Sequence, residues 1–396
     1  MTSEPYSQPL YVMTKAAGSA CNLRCRYCYY LEKSKLYPGG NMMSEEMLDR
    51  FIKQYIEAQP VPQVLFTWHG GEPLLRGLDF YKKALQLQRY HSLGMRVDNC
   101  IQTNGMLLTD EWCRFFRDNG WLVGLSIDGP RELHDAYRHK GDGKGSFDDV
   151  MRGIELLNRH GVEWNAMAVV NDVVAAHPDE FYDFFKAIDC RYIQFTPIVE
   201  RLTGDGLATV GDEAQLAPFS VSPDAWGEFL CRVFDRWVVT DVGKVFVQLF
   251  DATLANHLGV TPGLCSMART CGHAVVLEHN GDLYSCDHFV FPQYRLGNIR
   301  SKTIFEMLNS DRQLRFGQDK HDRLPRRCLT CQYLSLCNGE CPKNRFAYTV
   351  DGEPGQNYLC RGYSRFFAHS HRAMTFMAAE LRAGRAPANV MGLSRR

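Results

Sequence analysis

The stretch Cys21-Asn22-Leu23-Arg24-Cys25-Arg26-Tyr27-Cys28 sets three cysteines at the spacing C-x3-C-x2-C, directly after a predicted strand over residues 10–15. Thiolates are soft ligands that favour iron–sulfur clusters or zinc. Three protein ligands on a four-iron cluster would leave one iron with an open coordination site for a small molecule. A structural zinc knuckle with its fourth ligand elsewhere in the chain is the alternative.

Repeated βα units extend on both sides of this motif up to about residue 240. Short β-rich runs alternate there with longer runs of helical periodicity. The predicted strands cover residues 10–15, 63–68, 97–103, 121–127, 163–170 and 192–197. The predicted helices cover residues 44–57, 81–91, 110–119, 146–159, 178–188 and 223–239. Six units are fewer than the eight of a closed barrel, so an α/β fold with an open, partial (β/α)6 barrel is expected, with its functional loops at the carboxyl ends of the strands.

Composition narrows the class of protein. The 396 residues carry 45 Lys plus Arg against 45 Asp plus Glu, and 45% are hydrophobic. A zero net charge gives no reason to expect a nucleic-acid partner or a membrane surface. The chain shows neither a secretory signal nor an apolar run that could span a bilayer, so a cytoplasmic location is expected. In that compartment thiols stay reduced, and the 15 cysteines favour metal sites over disulfides.

Eight further cysteines lie between residues 265 and 360. They are Cys265, Cys271, Cys286, Cys328, Cys331, Cys337, Cys341 and Cys360. Eight thiolates could ligate two cubane clusters fully, and two zinc sites are the alternative. A hairpin is predicted from strands at 275–278 and 283–286, because an Asn-Gly pair between them suits a tight turn. The remaining four cysteines, Cys100, Cys113, Cys190 and Cys231, are interpreted as buried free thiols.

The position of the first cysteine motif after the first strand resembles the radical S-adenosylmethionine (SAM) superfamily, over about the first 240 residues. The resemblance implies that Cys21, Cys25 and Cys28 hold a [4Fe–4S] cluster whose open iron chelates SAM. In that family an electron then cleaves SAM to give a 5′-deoxyadenosyl radical. The run His69-Gly70-Gly71-Glu72-Pro73 is similar to the family's GGEP motif, which meets the methionyl amino group. The resemblance implies further SAM contacts. Tyr27 and Tyr30 would lie beside the adenine, Ser126 and Arg138 would contact the ribose or carboxylate region, and Val199 would close the adenine pocket. Gln102, at the end of the third predicted strand, is also expected to bind SAM.

The second cysteine group resembles the SPASM extension of radical SAM enzymes that modify peptides. This resemblance implies that Cys265, Cys271, Cys286 and Cys341 bind the nearer auxiliary cluster, and that Cys328, Cys331, Cys337 and Cys360 bind the farther one. The expected cofactors are therefore three [4Fe–4S] clusters and SAM. The expected domains are a radical SAM barrel over 1–240, a connecting segment over 241–260, a small cysteine-rich SPASM domain over 261–364 and a C-terminal helix and tail over 365–396.

Asp287, directly after Cys286, completes a likeness to anaerobic sulfatase-maturating enzymes that covers nearly the whole chain. These enzymes oxidise a cysteine or serine of a sulfatase to Cα-formylglycine. The resemblance implies that Asp287 takes the side-chain proton as general base. It also implies a nascent or unfolded sulfatase polypeptide as substrate and a reduced flavodoxin or ferredoxin as electron donor. His69 receives no role.

Two other functions fit parts of this pattern. One is maturation of another ribosomally made peptide through a thioether or carbon crosslink. Many such enzymes carry an N-terminal leader-recognition domain, for which the 20 residues before Cys21 leave no room, so sulfatase maturation is preferred. The other is a noncatalytic zinc or electron-transfer module that binds a protein partner.

Overall fold

The computed structural model describes residues 9–38, 42–92, 94–204, 206–208 and 213–395. Its strands, in chain order, are β1 (Tyr11–Lys15), β2 (Gln63–His69), β3 (Arg96–Thr103), β4 (Leu122–Ser126), β5 (Trp164–Val170), β6 (Tyr192–Pro197), β7 (Arg201–Thr203), β8 (Gly206–Leu207), β9 (Gln215–Leu216), β10 (Phe246–Val247), β11 (Ala274–Glu278), β12 (Asp282–Tyr284), β13 (Arg295–Asn298), β14 (Ala347–Tyr348) and β15 (Pro354–Gln356). All six strands predicted for the barrel are present as β1 to β6, so the partial-barrel prediction is confirmed.

The helices also match the prediction in the first part of the chain. They are α1 (Glu45–Glu57), α2 (Leu78–His91), α3 (Asp110–Asp118), α4 (Arg131–His134), α5 (Phe147–His160), α6 (Asp172–Ala175), α7 (Pro178–Ala187), α8 (Pro223–Thr240), α9 (Gln248–Leu258), α10 (Ile304–Leu308), α11 (Asp311–Asp322), α12 (Arg326–Leu329), α13 (Leu334–Cys337) and α14 (Cys360–Arg382). Side-chain caps explain several boundaries. Ser44 accepts a hydrogen bond from the Met47 amide and begins α1 there.

The chain forms two compact units. The first consists of Met1–Ser126, Tyr137–Trp164 and Cys271–Gln318. Within it the strands follow the order β4, β3, β2, β1, β11, β12, β13. The pairs from β4 to β11 are parallel, whereas β11, β12 and β13 are antiparallel neighbours. Helices α1 and α2 bury apolar stripes, and Trp68 of β2 stacks on Trp121 in the core of this unit.

The predicted hairpin is confirmed as β11 and β12. The pairing of this hairpin with the first strand was not predicted from the sequence. Strand β11 lies parallel to β1 and extends the sheet of the first unit. The register pairs Lys15 with Glu278 across β1 and β11, and Lys15 with His69 across β1 and β2. Three polar residues therefore meet at the carboxyl ends of three adjacent parallel strands, where ligands bind in α/β sheets.

The second unit consists of Ile127–Ala136, Asn165–Thr270 and Asp319–Arg396. Its parallel strands β5, β6 and β10 are neighbours, and its core is aromatic, with Phe195, Phe229 and Phe250 in contact. Residues 241–260, expected to be a connection, contain β10 and α9. Among the described residues, no helix is both long enough and apolar enough to cross a bilayer.

Candidate active site

The loop that carries Cys21, Cys25 and Cys28 leaves β1 and is fixed by main-chain hydrogen bonds. The Arg24 amide donates to the His139 carbonyl at 2.7 Å, and the Arg26 amide donates to the Tyr137 carbonyl at 3.0 Å. At the end of β3, the Asn104 side-chain amide donates to Asn22 Oδ1 at 2.7 Å. Backbone and side-chain contacts therefore hold the cysteine loop above the strands.

Gly71 lies against this same loop. Its amide donates to the Gly18 carbonyl at 2.9 Å, and the next amide, that of Glu72, donates to the Ala20 carbonyl at 2.7 Å. A Cβ atom on Gly71 would stand 2.0 Å from the Ala20 oxygen, a distance that no side chain tolerates. The second glycine of the GGEP motif is therefore required for the approach of the two loops.

The carboxylate of Glu72 joins the ends of β2 and β3. Its Oε1 accepts from the Leu74 amide at 2.9 Å and from the Thr103 hydroxyl at 2.8 Å, and its Oε2 accepts from the Asn104 amide at 2.8 Å. Complete burial raises the pKa of Glu72 to about 7 against the opposing effect of these hydrogen bonds. The contact of Glu72 with the SAM amino group stays a prediction.

Lys15 is the centre of a polar cluster at the carboxyl ends of β1, β2 and β11. Its side chain is fully buried, and its Nζ lies 2.7 Å from Asp287 Oδ1. The same atom lies 3.0 Å from His69 Nδ1 and 4.3 Å from the centre of the Tyr30 ring. Buried charges need such partners, because an isolated ammonium group would pay a large desolvation penalty.

His69 is held in one neutral form. Its Nδ1 is contacted by both the Lys15 ammonium and the Gly70 amide, the latter at 2.7 Å, and both of these groups are donors. Nδ1 must therefore be the acceptor nitrogen, which leaves the proton on Nε2. Burial and the charge of Lys15 lower the pKa of His69 to about 3, so the ring stays uncharged at neutral pH.

Asp287 stands in the turn after β12, with its side chain 15% exposed. Burial is the largest single influence and would raise the pKa of Asp287, but the charge of Lys15 and smaller contributions from other neighbours, including His288, together outweigh burial and hold the pKa below its usual range. Its Oδ2 accepts a hydrogen bond from the Tyr29 hydroxyl. Its Oδ1 faces the Lys15 ammonium yet receives no well-directed hydrogen bond. An ionised carboxylate thus retains an oxygen that a substrate group could use.

Tyr30 and Glu278 complete the cluster around Lys15. The Tyr30 hydroxyl donates to Glu278 Oε1 at 2.5 Å, and both residues are buried. Glu278 Oε2 has no hydrogen-bond partner among the described residues. The structure places the hydroxyl end of Tyr30 on Glu278, and the predicted contact of Tyr30 with adenine stays a prediction.

The other predicted SAM contacts lie near the ends of successive strands. Arg138 and Tyr27 are buried together, with the guanidinium carbon 5.6 Å from the ring centre. Gln102 lies in β3 beside His69, and Ser126 ends β4. Val199 follows β6 in the second unit, where it is buried. Their roles toward SAM stay predictions.

Several auxiliary cysteines of the second unit influence one another electrostatically. Besides burial, which is the main cause, the charges of Cys360 and Cys331 raise the pKa of Cys328, and those of Cys360 and Cys328 help to raise the pKa of Cys337 to about 12. Separately, Cys265 acts on Cys341, whose pKa is also raised mainly by burial. The first four cysteines are those of the predicted farther quartet, and Cys265 and Cys341 belong to the predicted nearer one; both ligand sets stay predictions. Cys271 and Cys286 lie in the first unit.

The cysteine thiolates match the ligands that iron–sulfur clusters use. Within the described ranges, no three His, Cys, Asp or Glu side chains lie close enough to bind one metal ion. A [4Fe–4S] cluster does not need such a point, because each thiolate binds a different iron. Near the first motif, burial raises the pKa of Cys21 to about 11, with a contribution from the charge of Cys28. Bound iron would offset this accumulated thiolate charge, so the donor set fits the predicted clusters.

Lys15 and Glu278 were not predicted from the sequence, and His69 had no predicted role. The sequence held only one weak indication of a functional role for Lys15: it is a charged residue at the end of a mostly apolar strand, shortly before the first cysteine motif. Its partners come from residues 69, 278 and 287, and only the pairing of β11 with β1 brings the last two near.

Two models of known protein families match this chain, one in each half. A model of the radical SAM superfamily matches residues 17–185. A model of the SPASM iron-sulfur cluster-binding domain matches residues 265–332.

Curated relatives are similar over almost the full length. The chain is 60% identical to the serine-type anaerobic sulfatase-maturating enzyme of Bacteroides thetaiotaomicron, covering 98% of this chain and 96% of the relative. It is 38% identical to the serine-type enzyme of Klebsiella aerogenes, covering 93% and 87%. It is 34% identical to the cysteine-type enzyme of Clostridium novyi, covering 94% and 98%.

Solved structures agree in fold. The structure of native anSMEcpe with bound AdoMet and Cp18Cys peptide matches with a TM-score of 0.83 and 31% identity, covering 94% of this chain and 99% of that one. Streptococcus suis SuiB bound to its precursor peptide SuiA matches with a TM-score of 0.59 and 15% identity, covering 90% and 77%, which indicates a shared fold alone.

Proposed function

Since this chain belongs to the family of anaerobic sulfatase-maturating enzymes, which combine a radical SAM barrel with a SPASM domain, we propose that it acts on a serine of its sulfatase substrate. The enzyme oxidises a serine or cysteine in a sulfatase polypeptide to Cα-formylglycine. Its identity to the serine-type relatives exceeds that to the cysteine-type relatives, and this difference supports serine.

The cofactors are [4Fe–4S] clusters and SAM. We assign the first cluster to Cys21, Cys25 and Cys28, the nearer auxiliary cluster to Cys265, Cys271, Cys286 and Cys341, and the farther one to Cys328, Cys331, Cys337 and Cys360. When bound, these groups supply a carbon radical that takes a hydrogen atom from the target Cβ and an acceptor for one further electron. The protein must then hold the target and remove one proton.

Asp287 is the proposed general base, and its ion pair with Lys15 is the observation that carries this role. The ion pair fixes one oxygen of the carboxylate at 2.7 Å from the ammonium, and Tyr29 holds the other. A serine hydroxyl is a poor acid in the resting substrate. Once Cβ has lost a hydrogen atom and an electron, the hydroxyl belongs to a protonated aldehyde, which is strongly acidic. A carboxylate with a lowered pKa can therefore take this proton and release the aldehyde.

The buried neighbours of Asp287 suit the exclusion of water. Lys15 and Glu278 are fully buried, and His69 is neutral. Fewer mobile waters near the target keep the reacting Cβ in place and strengthen the electrostatic interactions.

The proposed substrate is a nascent or unfolded sulfatase polypeptide, because the target residue must reach a site above the strands. The proposed electron donor is a reduced flavodoxin or ferredoxin. The proposed compartment is the cytoplasm, where the 15 cysteines stay reduced for cluster assembly.

The test uses anaerobically reconstituted enzyme, SAM and a reductant with two matched peptides that carry Ser-x-Pro-x-Arg or Cys-x-Pro-x-Arg. Mass spectrometry follows the aldehyde, and serine should be converted faster. Aldehyde from the cysteine peptide alone would refute the serine preference, and no aldehyde from either peptide would refute the substrate class.

Replacement of Asp287 by Asn tests the base directly. The Asn variant keeps the shape of the side chain, and we expect a loss of about 10²- to 10⁴-fold in aldehyde formation with full iron content. Turnover close to that of the unmodified enzyme would exclude Asp287 as the base.

A further inference from the structure

Arg345 lies against the loop between Cys337 and Cys341 in the second unit. Its guanidinium donates four hydrogen bonds to main-chain carbonyls: Nη1 to Lys320 at 2.5 Å, Nε to Gly339 at 2.8 Å, and Nη2 to both Asn338 and Glu340 at 3.1 Å. The last three carbonyls belong to the loop between Cys337 and Cys341. The position of the positive charge is therefore fixed relative to both cysteines.

This loop has an uncommon backbone. Asn338, Gly339 and Glu340 have φ values of 48°, 71° and 52°, so three successive residues are left-handed. Each non-glycine residue in that region carries a penalty of roughly 1–2 kcal/mol. A Cβ on Gly339 would lie 2.2 Å from Leu324 Cδ2 and 2.6 Å from Arg345 Nη2. The loop and the guanidinium are thus fitted to each other, and the hydrogen bonds offset the backbone penalty.

Arg345 has no carboxylate in ion-pair contact within the part of the chain that the structure describes. The carboxylate of Glu340 is instead held by the side-chain amides of Asn344 at 3.1 Å and Asn357 at 2.5 Å. Burial lowers the pKa of Arg345, and the negative charges of Cys341, Glu340, Cys337 and Cys328 oppose this fall. The thiolates of the proposed clusters are thus among the charges that compensate the guanidinium.

We propose that Arg345 raises the reduction potential of both auxiliary clusters. Reduction adds one negative charge to a cluster, and a fixed cation in a poorly solvated site stabilises the reduced form. Because its hydrogen bonds join residues on both sides of one loop, a single arginine can act on a cluster that uses Cys337 and on one that uses Cys341. This inference goes beyond the proposed function and rests on its assignment of the cysteines.

The experiment compares Arg345→Gln with Arg345→Lys, since glutamine removes the charge and lysine keeps it. Both are made in a chain whose first motif carries Cys21→Ala, Cys25→Ala and Cys28→Ala, so only the auxiliary clusters remain. Redox titration with dithionite, followed by electron paramagnetic resonance, gives their midpoint potentials, and iron and sulfide analysis gives their occupancy. We expect Arg345→Gln to shift both potentials to more negative values and Arg345→Lys to stay near the parent. Arg365→Gln, which removes a half-exposed arginine paired with Glu228, is the matched control.

Unchanged potentials in a fully loaded Arg345→Gln variant would overturn the proposal. If that variant fails to hold iron, Arg345→Lys decides: loss of iron in the lysine variant as well would mean that Arg345 acts through loop geometry, which also overturns the role of its charge. A parent chain that binds no auxiliary clusters would instead refute the cysteine assignment, so the two failures are distinguishable.

Discussion

The ammonium nitrogen of Lys15 lies 2.7 Å from a carboxylate oxygen of Asp287. Lys15 ends the first strand of the barrel, and Asp287 follows a hairpin from the cysteine-rich part of the chain. The parallel pairing of β11 with β1 brings them together. The proposed base is therefore positioned by the strand that directly precedes the first cysteine motif.

Replacement of Lys15 by Met should lower aldehyde formation by roughly 10- to 100-fold, less than the 10²- to 10⁴-fold expected for complete loss of a general base. Without the ammonium, burial dominates at Asp287 and its pKa rises. The acid limb of the rate–pH profile should then move to higher pH, because a higher pH is needed to ionise the base. Initial rates across pH measure both effects.

Lys53→Met is the control for this change, because Lys53 is exposed on α1 and makes only a 3.9 Å pair with Glu57. Its profile should match that of the unmodified enzyme. An unshifted acid limb in Lys15→Met, with iron content preserved, would show that Lys15 does not act through Asp287.

Gly71→Ala should prevent assembly of the first cluster. The added Cβ would meet the Ala20 oxygen at 2.0 Å, so the cysteine loop must move away from β2. We expect the iron content to fall by the share of one cluster in three, together with loss of SAM cleavage, while the auxiliary clusters remain. Gly141→Ala is the matched control, since no heavy atom lies within 4 Å of its added Cβ. Full iron and normal SAM cleavage in Gly71→Ala would contradict the proposed close contact.

The sequence predicted the barrel elements and the cysteine motifs well because both depend on local information. Apolar periodicity defines β1 to β6, and ligand spacing is visible along the chain. The contacts of Lys15 with Asp287 and Glu278 could not be predicted from the sequence, because they depend on parallel pairing between distant segments. Helix α11 was also missed, because residues 311–322 are mostly polar and show no strong apolar stripe.

Cys337→Ser should remove the farther auxiliary cluster, because the Cys337 thiol is close enough to Cys328 and Cys360 for their charges to raise its pKa. We expect a loss of iron equivalent to one cluster, visible in iron and sulfide analysis and in the spectrum of the reduced protein. Cys231→Ser changes a buried thiol on α8 that belongs to neither proposed quartet, so its iron content should be unchanged. Equal iron in both variants would refute the role of Cys337 as a ligand.

Glu72 should make the enzyme less stable as the pH rises. Its pKa is about 7 in the folded chain and its ordinary value is 4.5, so between these values the folded state keeps a proton that the unfolded state releases. The free energy of unfolding should therefore fall by about 3 kcal/mol across this window. Urea unfolding at about pH 5 and about pH 7.5 should show a smaller decrease in Glu72→Gln, which cannot titrate. Glu111→Gln removes an exposed carboxylate on α3 and should keep the pH dependence of the unmodified enzyme. Equal decreases in all three proteins would show that Glu72 does not hold a proton in the folded state over this range.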